Sequence, residues 1–499
     1  MPFVGPEVDW FALSPYVAMV AGALLLMVVG ALTPLWPRGL YAAATVAITA
    51  VSAVLALFVW DDIGDSGPFT LVGGALAHDR FAMLVILGIL GATALVALIT
   101  DGELRGTSGD GPEIYSLLLS AAVGAMIMAS ANELIVMFLG LETLSLGLYV
   151  LAASDRRRAG SQESGMKYFV LGGFASAFFL YGIALLYGGT RSTSISEIVV
   201  WFQSTVSAER NDALVLAGLA LLLVGLAFKV SAVPFHVWSP DVYQGAPSNV
   251  TAFMASVGKA AAFAAMLRVL VVALPFHRDD WRPAIWVLAV LSLVVGSVLA
   301  VVQTDVKRML AYSSVSHAGF ILVGVEAAGH RAGEADAGSG VQAVLVYLVL
   351  YSVLVVGSFA VATVVGRHHD GSTGLDAFAG LAQRRPMLAV GFTVFLLAQA
   401  GVPLTSGFVA KWGVIQEAVS ERSYAIAIIA MLAAVIGAFL YLRIMVSVWL
   451  HDSPEGVTVE RVPSLTGVAV TIAVLVTVAV GVWPEWLLSV TESVATYAR

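Results

Sequence analysis

The 499-residue sequence contains no cysteine, and charged residues make up only 12% of it. Without thiols, this chain cannot hold a thiolate-ligated iron–sulfur cluster, form a disulfide bond or use a catalytic cysteine. Soluble proteins contain roughly 25% charged residues, so the low charge and the 59% of hydrophobic residues exclude a soluble globular protein. The formal net charge of −8 also disfavours nucleic acid as a partner.

Long apolar segments fill most of the sequence instead. A helix that crosses a hydrocarbon layer of roughly 30 Å needs about 20 apolar residues. A window of about 19 residues predicts fourteen such spans, at Tyr16–Leu32, Leu40–Trp60, Phe81–Thr100, Ile114–Ser130, Leu134–Ala152, Met166–Leu186, Ala213–Val233, Val250–Leu274, Ala284–Val302, Met309–Ala327, Val341–Val365, Leu388–Glu417, Tyr424–Leu450 and Leu465–Val482. The expected fold is an all-α polytopic membrane protein with about 14 transmembrane helices, surrounded by the lipid bilayer.

Basic residues are distributed unequally between alternate loops. Twelve lysines and arginines lie in the odd-numbered loops and eight on the other side, and the run Arg156–Arg158 contributes most of the difference. Loops rich in Lys and Arg tend to remain in the cytoplasm. We therefore expect both termini on the outer side of the membrane.

Two predicted spans contain a proline in similar surroundings, Pro234 in the seventh span and Pro403 in the twelfth. Proline removes a backbone donor and breaks a helix, so helices 7 and 12 should be interrupted. The two sites are five spans apart, and an odd interval inverts the second copy of a repeat, as in many transporters. The expected regions are an N-terminal three-helix segment at 1–112, a first five-helix repeat at 113–283, a second, inverted five-helix repeat at 284–450, and a C-terminal helix and tail at 451–499.

Four ionisable residues lie inside predicted spans. Glu142 lies near the middle of the fifth span, and Lys229, Lys259 and Lys411 are three of only five lysines in the sequence. Each such charge costs roughly 2.5–3.5 kcal/mol on insertion scales, so pairing, water or neutralisation must offset it. A buried lysine can exchange its proton when its surroundings change, whereas arginine cannot. These four residues are candidate proton carriers.

Histidines and arginines in or near the spans suggest further roles. His236 and His317 are candidate relay groups between the lysines. His236 also suits a cap at the helix break, and His317 suits a hydrogen-bonded core position. Arg268 and Arg443 lie nearer span ends, where arginine typically extends to the interface or anchors the helix. Glu142 and Lys229 are expected to interact directly, and a static ion pair that only fixes helix packing is an alternative. The histidine spacing predicts no metal or haem site.

Several segments of the sequence resemble a known family. The segment from Glu163 to Gly188 and four shorter motifs closely resemble the subunit N family of the proton-pumping NADH–quinone oxidoreductase, respiratory complex I; these motifs are FKVSAVPFHVWSPDVYQGAP from Phe228, VGKAAAF from Val257, LAYSSVSHAGF from Leu310 and GVPLTSGFVAKW from Gly401. Lys411 agrees with subunit N, because subunit M is expected to carry Glu there. The sequence resembles subunits of multisubunit sodium/proton antiporters and membrane hydrogenases more distantly.

The resemblance implies a role for each candidate residue. Glu142 and Lys229 would form the coupling pair, Lys259 the central proton carrier, and Lys411 the terminal lysine of a hydrated axis. FMN, the iron–sulfur clusters and quinone would be bound by partner subunits, with no cofactor in this chain. The expected partners are the membrane subunits M, K and L, in the cytoplasmic (inner) membrane of a bacterium.

Two alternatives remain open from the sequence. One is a subunit of a multisubunit cation/proton antiporter or a membrane hydrogenase. The other is a structural or quinone-contacting membrane subunit that pumps no protons.

Overall fold

The computed structural model describes residues 8–37, 39–104, 111–205, 212–334, 338–368, 373–453 and 462–494. We expected both termini on the outer side of the membrane, but residues 1–7 and 495–499 lie outside these ranges. The described chain is a helical bundle with one short β-hairpin. Its elements are α1 (Ser14–Leu32), α2 (Leu40–Ser66), β1 (Phe69–Leu71), β2 (Leu76–His78), α3 (Arg80–Leu104), α4 (Pro112–Ser130), α5 (Leu134–Ala152), α6 (Ala159–Thr190), α7 (Ile195–Ser204), α8 (Asp212–Val230), α9 (Trp238–Gly245), α10 (Ser248–Phe253), α11 (Lys259–Leu267), α12 (Arg278–Val301), α13 (Val306–His330), α14 (Gly338–His368), α15 (Leu375–Phe378), α16 (Leu381–Arg384), α17 (Pro386–Ala400), α18 (Ser406–Ser420), α19 (Tyr424–Leu450), α20 (Ser464–Val482) and α21 (Glu485–Glu492).

Thirteen helical segments within the described ranges are long and apolar enough to cross a membrane. Each of them matches one predicted span. The remaining predicted span, Leu388–Glu417, is divided into α17 and α18, so the described residues contain thirteen continuous spans and this one interrupted span. The division follows from Gly401, which has a positive φ of 88° and ends α17.

A second interruption separates α8 from α9. Ser231 has a positive φ of 61°, and the helical backbone resumes only at Trp238. The Nε1 of Trp238 donates a hydrogen bond to the carbonyl oxygen of Phe228 at 3.0 Å, and the backbone N of Val233 donates to the hydroxyl of Ser292 at 2.9 Å. Because water is scarce at membrane depth, irregular backbone needs such partners within the protein.

Ion pairs hold α9 between two parts of the bundle. The carboxylate of Asp241 accepts hydrogen bonds from Lys167 of α6 at 2.8 Å and from Arg308 of α13 at 2.7 Å. Lys167 also binds Glu163 at 2.7 Å. The helix after the interruption is therefore fixed to helices on both of its sides.

Two helical segments form the centre of the bundle. The segment Ser248–Ala273 joins α10 and α11 through a π-helical turn at Met254–Gly258 and ends in another at Arg268–Ala273. It is buried along its whole length, and α13 is buried along nearly all of its length. α13 packs against α9, α12, α14, α18 and α19. Lys259 and His317 therefore lie in the interior.

Small residues allow α4 and α5 to pack closely. A Cβ atom added to Gly124 would lie 2.5 Å from the backbone N of Leu144, and one added to Gly140 would lie 2.8 Å from that of Met128. Glycine at both positions lets the two backbones touch, as is typical of membrane helices. This contact fixes the position of α5, which carries Glu142.

The β-hairpin leads into a buried ion pair that the sequence did not predict. Phe69 pairs with His78 in the antiparallel register of β1 and β2, and Asp79 follows β2 directly. Both carboxylate oxygens of Asp79 bind the guanidinium of Arg268, at 2.8 and 3.0 Å. Arg268 is only 1% exposed, so it does not extend to the interface, and of its two expected roles the ion pair agrees with that of a structural anchor. A bidentate partner compensates for its burial.

Candidate functional site

Lys229 is buried in the last turn of α8 and binds two hydroxyl groups. Its Nζ donates hydrogen bonds to Ser145 Oγ of α5 at 2.8 Å and to the Tyr168 hydroxyl of α6 at 3.0 Å. The ring of Tyr168 stacks on Trp238 with centroids 4.5 Å apart, and the edge of Tyr149 packs at 4.8 Å. Two aromatic rings therefore fix the tyrosine that binds the lysine.

Glu142 lies near Lys229 but does not contact it. Its Oε1 accepts a short hydrogen bond from the hydroxyl of Ser176, while Lys229 binds Ser145 and Tyr168. In the described structure the two charges therefore form no direct ion pair, contrary to the sequence-based expectation. Ser145 lies three residues after Glu142 on α5, nearly one helical turn away, so Lys229 reaches the next turn instead.

Lys259 lies in the first turn of α11, immediately after a π-helical turn. Its Nζ donates to the carbonyl oxygen of Ser314 at 2.6 Å and lies 6.0 Å from the ring centre of Tyr351. The hydroxyl of Tyr351 donates in turn to Ser314 Oγ at 2.7 Å. Lys259 is 1% exposed. Its hydrogen-bond partner is an uncharged carbonyl, and no carboxylate of the described residues forms an ion pair with it.

His317 binds tyrosine hydroxyls through both ring nitrogens. Nδ1 lies 2.7 Å from the hydroxyl of Tyr347, and Nε2 lies 3.2 Å from that of Tyr441. The Tyr441 hydroxyl is also 2.5 Å from Ser313 Oγ, which donates a long hydrogen bond of 3.4 Å to Gln399 Oε1. A neutral imidazole donates from one nitrogen and accepts at the other. Reversing the hydroxyl directions in this chain would exchange these two roles.

Lys411 binds the backbone that the interruption between α17 and α18 leaves free. Its Nζ donates to the carbonyl oxygens of Gln399 at 2.7 Å and Ala400 at 3.1 Å, and it lies 4.8 Å from the ring centre of Phe320. A small cavity of about 10 Å³ adjoins it, enough for about one water molecule. The polar residues that line this cavity are Ser297, Ser313, Ser316, His317, Lys411 and Tyr441.

The structure brings some predicted residues together and leaves others apart. His317 and Lys411 share one cavity. His236 joins no chain of hydrogen bonds: its Nδ1 has no partner among the described residues, and its ring lies 6.4 Å from that of Tyr312. Pro234 and Pro403 lie in the two interrupted segments. In the described structure no hydrogen bond links the groups around Lys229 and Lys259.

The hydroxyl and amide partners of these residues were missed from the sequence. They are Ser145, Tyr168, Ser313, Ser314, Tyr347, Tyr351, Gln399 and Tyr441. One pattern was available: Tyr347 and Tyr351 are four residues apart in an apolar span, and this spacing places them on one face of a helix. A polar pair on one face of a membrane helix predicts contact with other polar groups.

Comparison with known proteins identifies the family. The family model described as "NADH:quinone oxidoreductase/Mrp antiporter, TM" matches residues 131–437. This range includes every candidate proton carrier and both interrupted segments.

Full-length relatives give the same result. Subunit N 3 of the NADH-quinone oxidoreductase of Streptomyces griseus is 38% identical, covering 100% of this chain and 96% of the relative. Subunit N of Salinispora arenicola is 40% identical over 99% of both chains. A chain of respiratory complex I from Thermus thermophilus, solved with bound aureothin, superposes with a TM-score of 0.79 at 32% identity, covering 96% of this chain and 99% of that one. The chain therefore belongs to the subunit N family of the antiporter-like membrane subunits of NADH–quinone oxidoreductase.

Proposed function

We propose that this chain translocates protons across the membrane as one subunit of a NADH–quinone oxidoreductase. The observation that carries the proposal is the environment of the three lysines. Lys229, Lys259 and Lys411 are all buried, and among the described residues their hydrogen bonds go to hydroxyls and carbonyls rather than to carboxylates. Burial disfavours the charged form of a lysine, and a contacting carboxylate would restore it. Lysines in this setting can therefore release and regain a proton.

A change of charge at Glu142 would begin the cycle. Charge interactions are much stronger in a weakly polarisable interior than in water. A negative Glu142 favours protonated Lys229 even without direct contact, and neutralisation of Glu142 favours release of that proton. The hydroxyls of Ser145 and Tyr168 stabilise either form of Lys229, because a hydroxyl both accepts and donates.

Transfer would continue through the buried centre to Lys411. Lys259 is the central carrier, and the hydroxyls of Ser314 and Tyr351 lie beside it. Farther along, His317 and Lys411 share the water-sized cavity. His236 serves as a relay in this scheme only after water enters beside it, because no protein group binds its Nδ1 among the described residues.

The wider setting of the proposal follows from the family. Redox chemistry would take place in partner subunits, where FMN, the iron–sulfur clusters and quinone are bound, and this chain would pack laterally against membrane subunits such as M, K and L. We place it in the cytoplasmic (inner) membrane of a bacterium, with both termini outside. The regions 113–283 and 284–450 would act as inverted five-helix units that meet near Lys259.

Native purification and a pumping assay test the proposal together. Mass spectrometry of the purified complex should find flavin- and iron–sulfur-containing subunits. Reconstituted into vesicles, the wild-type complex should pump protons when NADH is added, whereas the double variant Lys229→Ala/Lys259→Ala should not. Purification with antiporter subunits alone, or normal pumping by the double variant in an assembled complex, would contradict the proposal.

A further inference from the structure

A second cluster of ionisable residues lies where α13 ends. Arg282 of α12 donates to Glu326 Oε1 of α13 at 3.1 Å, and His330 Nε2 lies 3.2 Å from the same oxygen. The hydroxyl of Ser423, just before α19, donates to Glu326 Oε1 at 3.3 Å. These four residues, which we call the His330 cluster, join three segments of the chain.

The carboxylate at the centre of the cluster is buried and incompletely paired. Glu326 is 3% exposed, and its Oε2 has no hydrogen-bond partner among the described residues. The Nε of Arg282 likewise has none. A buried carboxylate oxygen without a donor costs free energy, and a proton or a protonated neighbour reduces that cost. The cluster is therefore built to accept positive charge.

Three groups compete for one nitrogen of His330. Its Nε2 lies 2.5 Å from Arg282 Nη2, 3.2 Å from Glu326 Oε1 and 3.0 Å from Ser423 Oγ. Without a proton on Nε2, the nitrogen accepts from Arg282. With a proton, Nε2 donates to Glu326 and must move away from the guanidinium. The cluster thus has two arrangements that differ by one proton.

The cluster is connected to the site around Lys411 by two helices. Ser316, Gly319, Val323, Glu326 and His330 follow one another at intervals of three or four residues, which places them along one stripe of α13. Ser316 lines the cavity beside Lys411, so this stripe runs from the cavity to the cluster.

The helix that carries Lys411 also ends at the cluster. α18 ends at Ser420, and the hydroxyl of Ser423 binds both Glu326 and His330. A change in the proton occupancy of Lys411, in the second turn of α18, can therefore affect the cluster just beyond the end of this helix.

We propose that Glu326 and His330 form the proton-release site of the second five-helix unit, an inference that rests on the proposed function. A proton leaves the ammonium group of Lys411, whose N–H bond breaks, and crosses through water to His330 Nε2, where a new N–H bond forms. Glu326 stabilises the resulting imidazolium. The side chain of His330 is 22% exposed, so it then gives the proton to bulk water.

The other charges around the cluster are mostly paired with one another. Asp279 lies 3.8 Å from Arg282 and is exposed to solvent. Arg331 binds Glu421 at 2.6 Å, and Arg278 binds Glu334 at 2.9 Å. These pairs leave Glu326 Oε2 as a buried carboxylate oxygen of the cluster that has no donor among the described residues.

The test uses the whole complex in vesicles with the NADH-binding side outward and a pH-sensitive dye in the lumen. Variants Glu326→Gln and His330→Asn should slow lumen acidification by about ten-fold or more, because a positioned proton-transfer group contributes about 10²–10⁴-fold and water replaces only part of that contribution. Glu421→Gln is the matched control, because it removes a carboxylate at the same end but outside the cluster. It should acidify the lumen at the wild-type rate.

The pH profile separates proton release from a merely structural role. Acidification by the wild type should slow as the starting lumen pH falls, because protons in the lumen then compete for the release site, and both cluster variants should lose this dependence. An unchanged profile in Glu326→Gln and His330→Asn would overturn the inference, as would equal effects of Glu326→Gln and Glu421→Gln. If the Glu326→Gln variant fails to assemble, the pH profile of the His330→Asn variant alone tests the inference.

Lys259→Ala, assayed in parallel, keeps this test separate from the proposed function. Normal pumping by Lys259→Ala would undermine proton transfer through the chain as a whole. Loss of pumping in Lys259→Ala together with normal release in both cluster variants would defeat only the release site.

Discussion

Lys229 and Lys411 lie beside the two interruptions of the bundle, yet they are bound differently. Lys229 binds the side-chain hydroxyls of Ser145 and Tyr168, with Glu142 one turn away. Lys411 binds backbone carbonyls of Gln399 and Ala400 at the end of α17. The first lysine therefore responds to the protonation of neighbouring side chains, and the second responds to the local path of the backbone.

The largest expected effect is at Lys259, which lies between these two regions. Lys259→Ala should assemble but pump almost no protons, because the link between the regions is lost. Lys259→Arg should fail as well, since arginine retains its charge and cannot release the proton. Proton pumping and NADH–quinone turnover in vesicles measure both variants. Restored pumping in Lys259→Arg would mean that only the positive charge matters.

The next effect concerns the backbone around Lys411. Gly401 has a φ of 88°, and a Cβ atom there would lie 3.0 Å from Cδ of Lys411. Left-handed backbone costs roughly 1–2 kcal/mol for a residue with a side chain, so Gly401→Ala should move the carbonyls that bind Lys411. We expect pumping to fall several-fold.

Gly413→Ala provides the control for Gly401→Ala. It lies in the same region, but its added Cβ would meet only Ala343 at 3.9 Å. Equal pumping by the two variants, measured at equal amounts of assembled complex, would show that the function of Lys411 does not depend on the backbone conformation at Gly401.

A smaller effect is expected from the hydroxyl partners of Lys229. Ser145→Ala removes one of the two hydrogen bonds that Lys229 donates to hydroxyl groups, and a hydrogen bond to a charged group contributes about 1.5–3 kcal/mol. Tyr168 still binds the lysine, so pumping should fall by only a few-fold. Thr143→Ala is the control, because its hydroxyl binds the backbone of its own helix at Leu139 and is exposed. If Thr143→Ala reduced pumping as much, the binding of Lys229 would not explain the effect.

The smallest expected effect is the direct coupling between Glu142 and Lys229. A double-mutant cycle of Glu142→Gln and Lys229→Ala, read from the free energy of unfolding, should give a coupling of about 1 kcal/mol, as expected for two charges that interact through a weakly polarisable interior without contact. The reason is that Ser145 and Tyr168, not Glu142, contact the lysine. A coupling of several kcal/mol would instead indicate a direct ion pair between Glu142 and Lys229.

Features that depend on local sequence were predictable. About 20 apolar residues are required to cross a bilayer, so hydropathy alone located the spans. A lysine in such a span is costly, so Lys229, Lys259 and Lys411 stood out without any structure. The family followed from the motifs that surround these lysines.

Features that depend on distant pairs were not predictable. Asp79 and Arg268 are 189 residues apart, and His317 and Tyr441 are 124 apart. Their residue types are common, and only the packing of the helices decides which ones meet. Pro403 predicted an interruption within Leu388–Glu417, but the end of α17 at Gly401 was not predicted, because the left-handed backbone there leaves no mark in an average of hydropathy.

The complete burial of the central segments has a consequence for biogenesis. During synthesis, each span enters the bilayer before its neighbours are in place, yet the segment Ser248–Ala273 ends up enclosed by protein on every side. The span Val306–His330, also enclosed, has the lowest mean hydropathy of the thirteen. Neither segment faces lipid in the folded protein, so the retention of both segments in the membrane should depend on the helices that are made later. Truncation after α13 should leave both segments exposed to quality-control proteases, and extension through α19 should protect them.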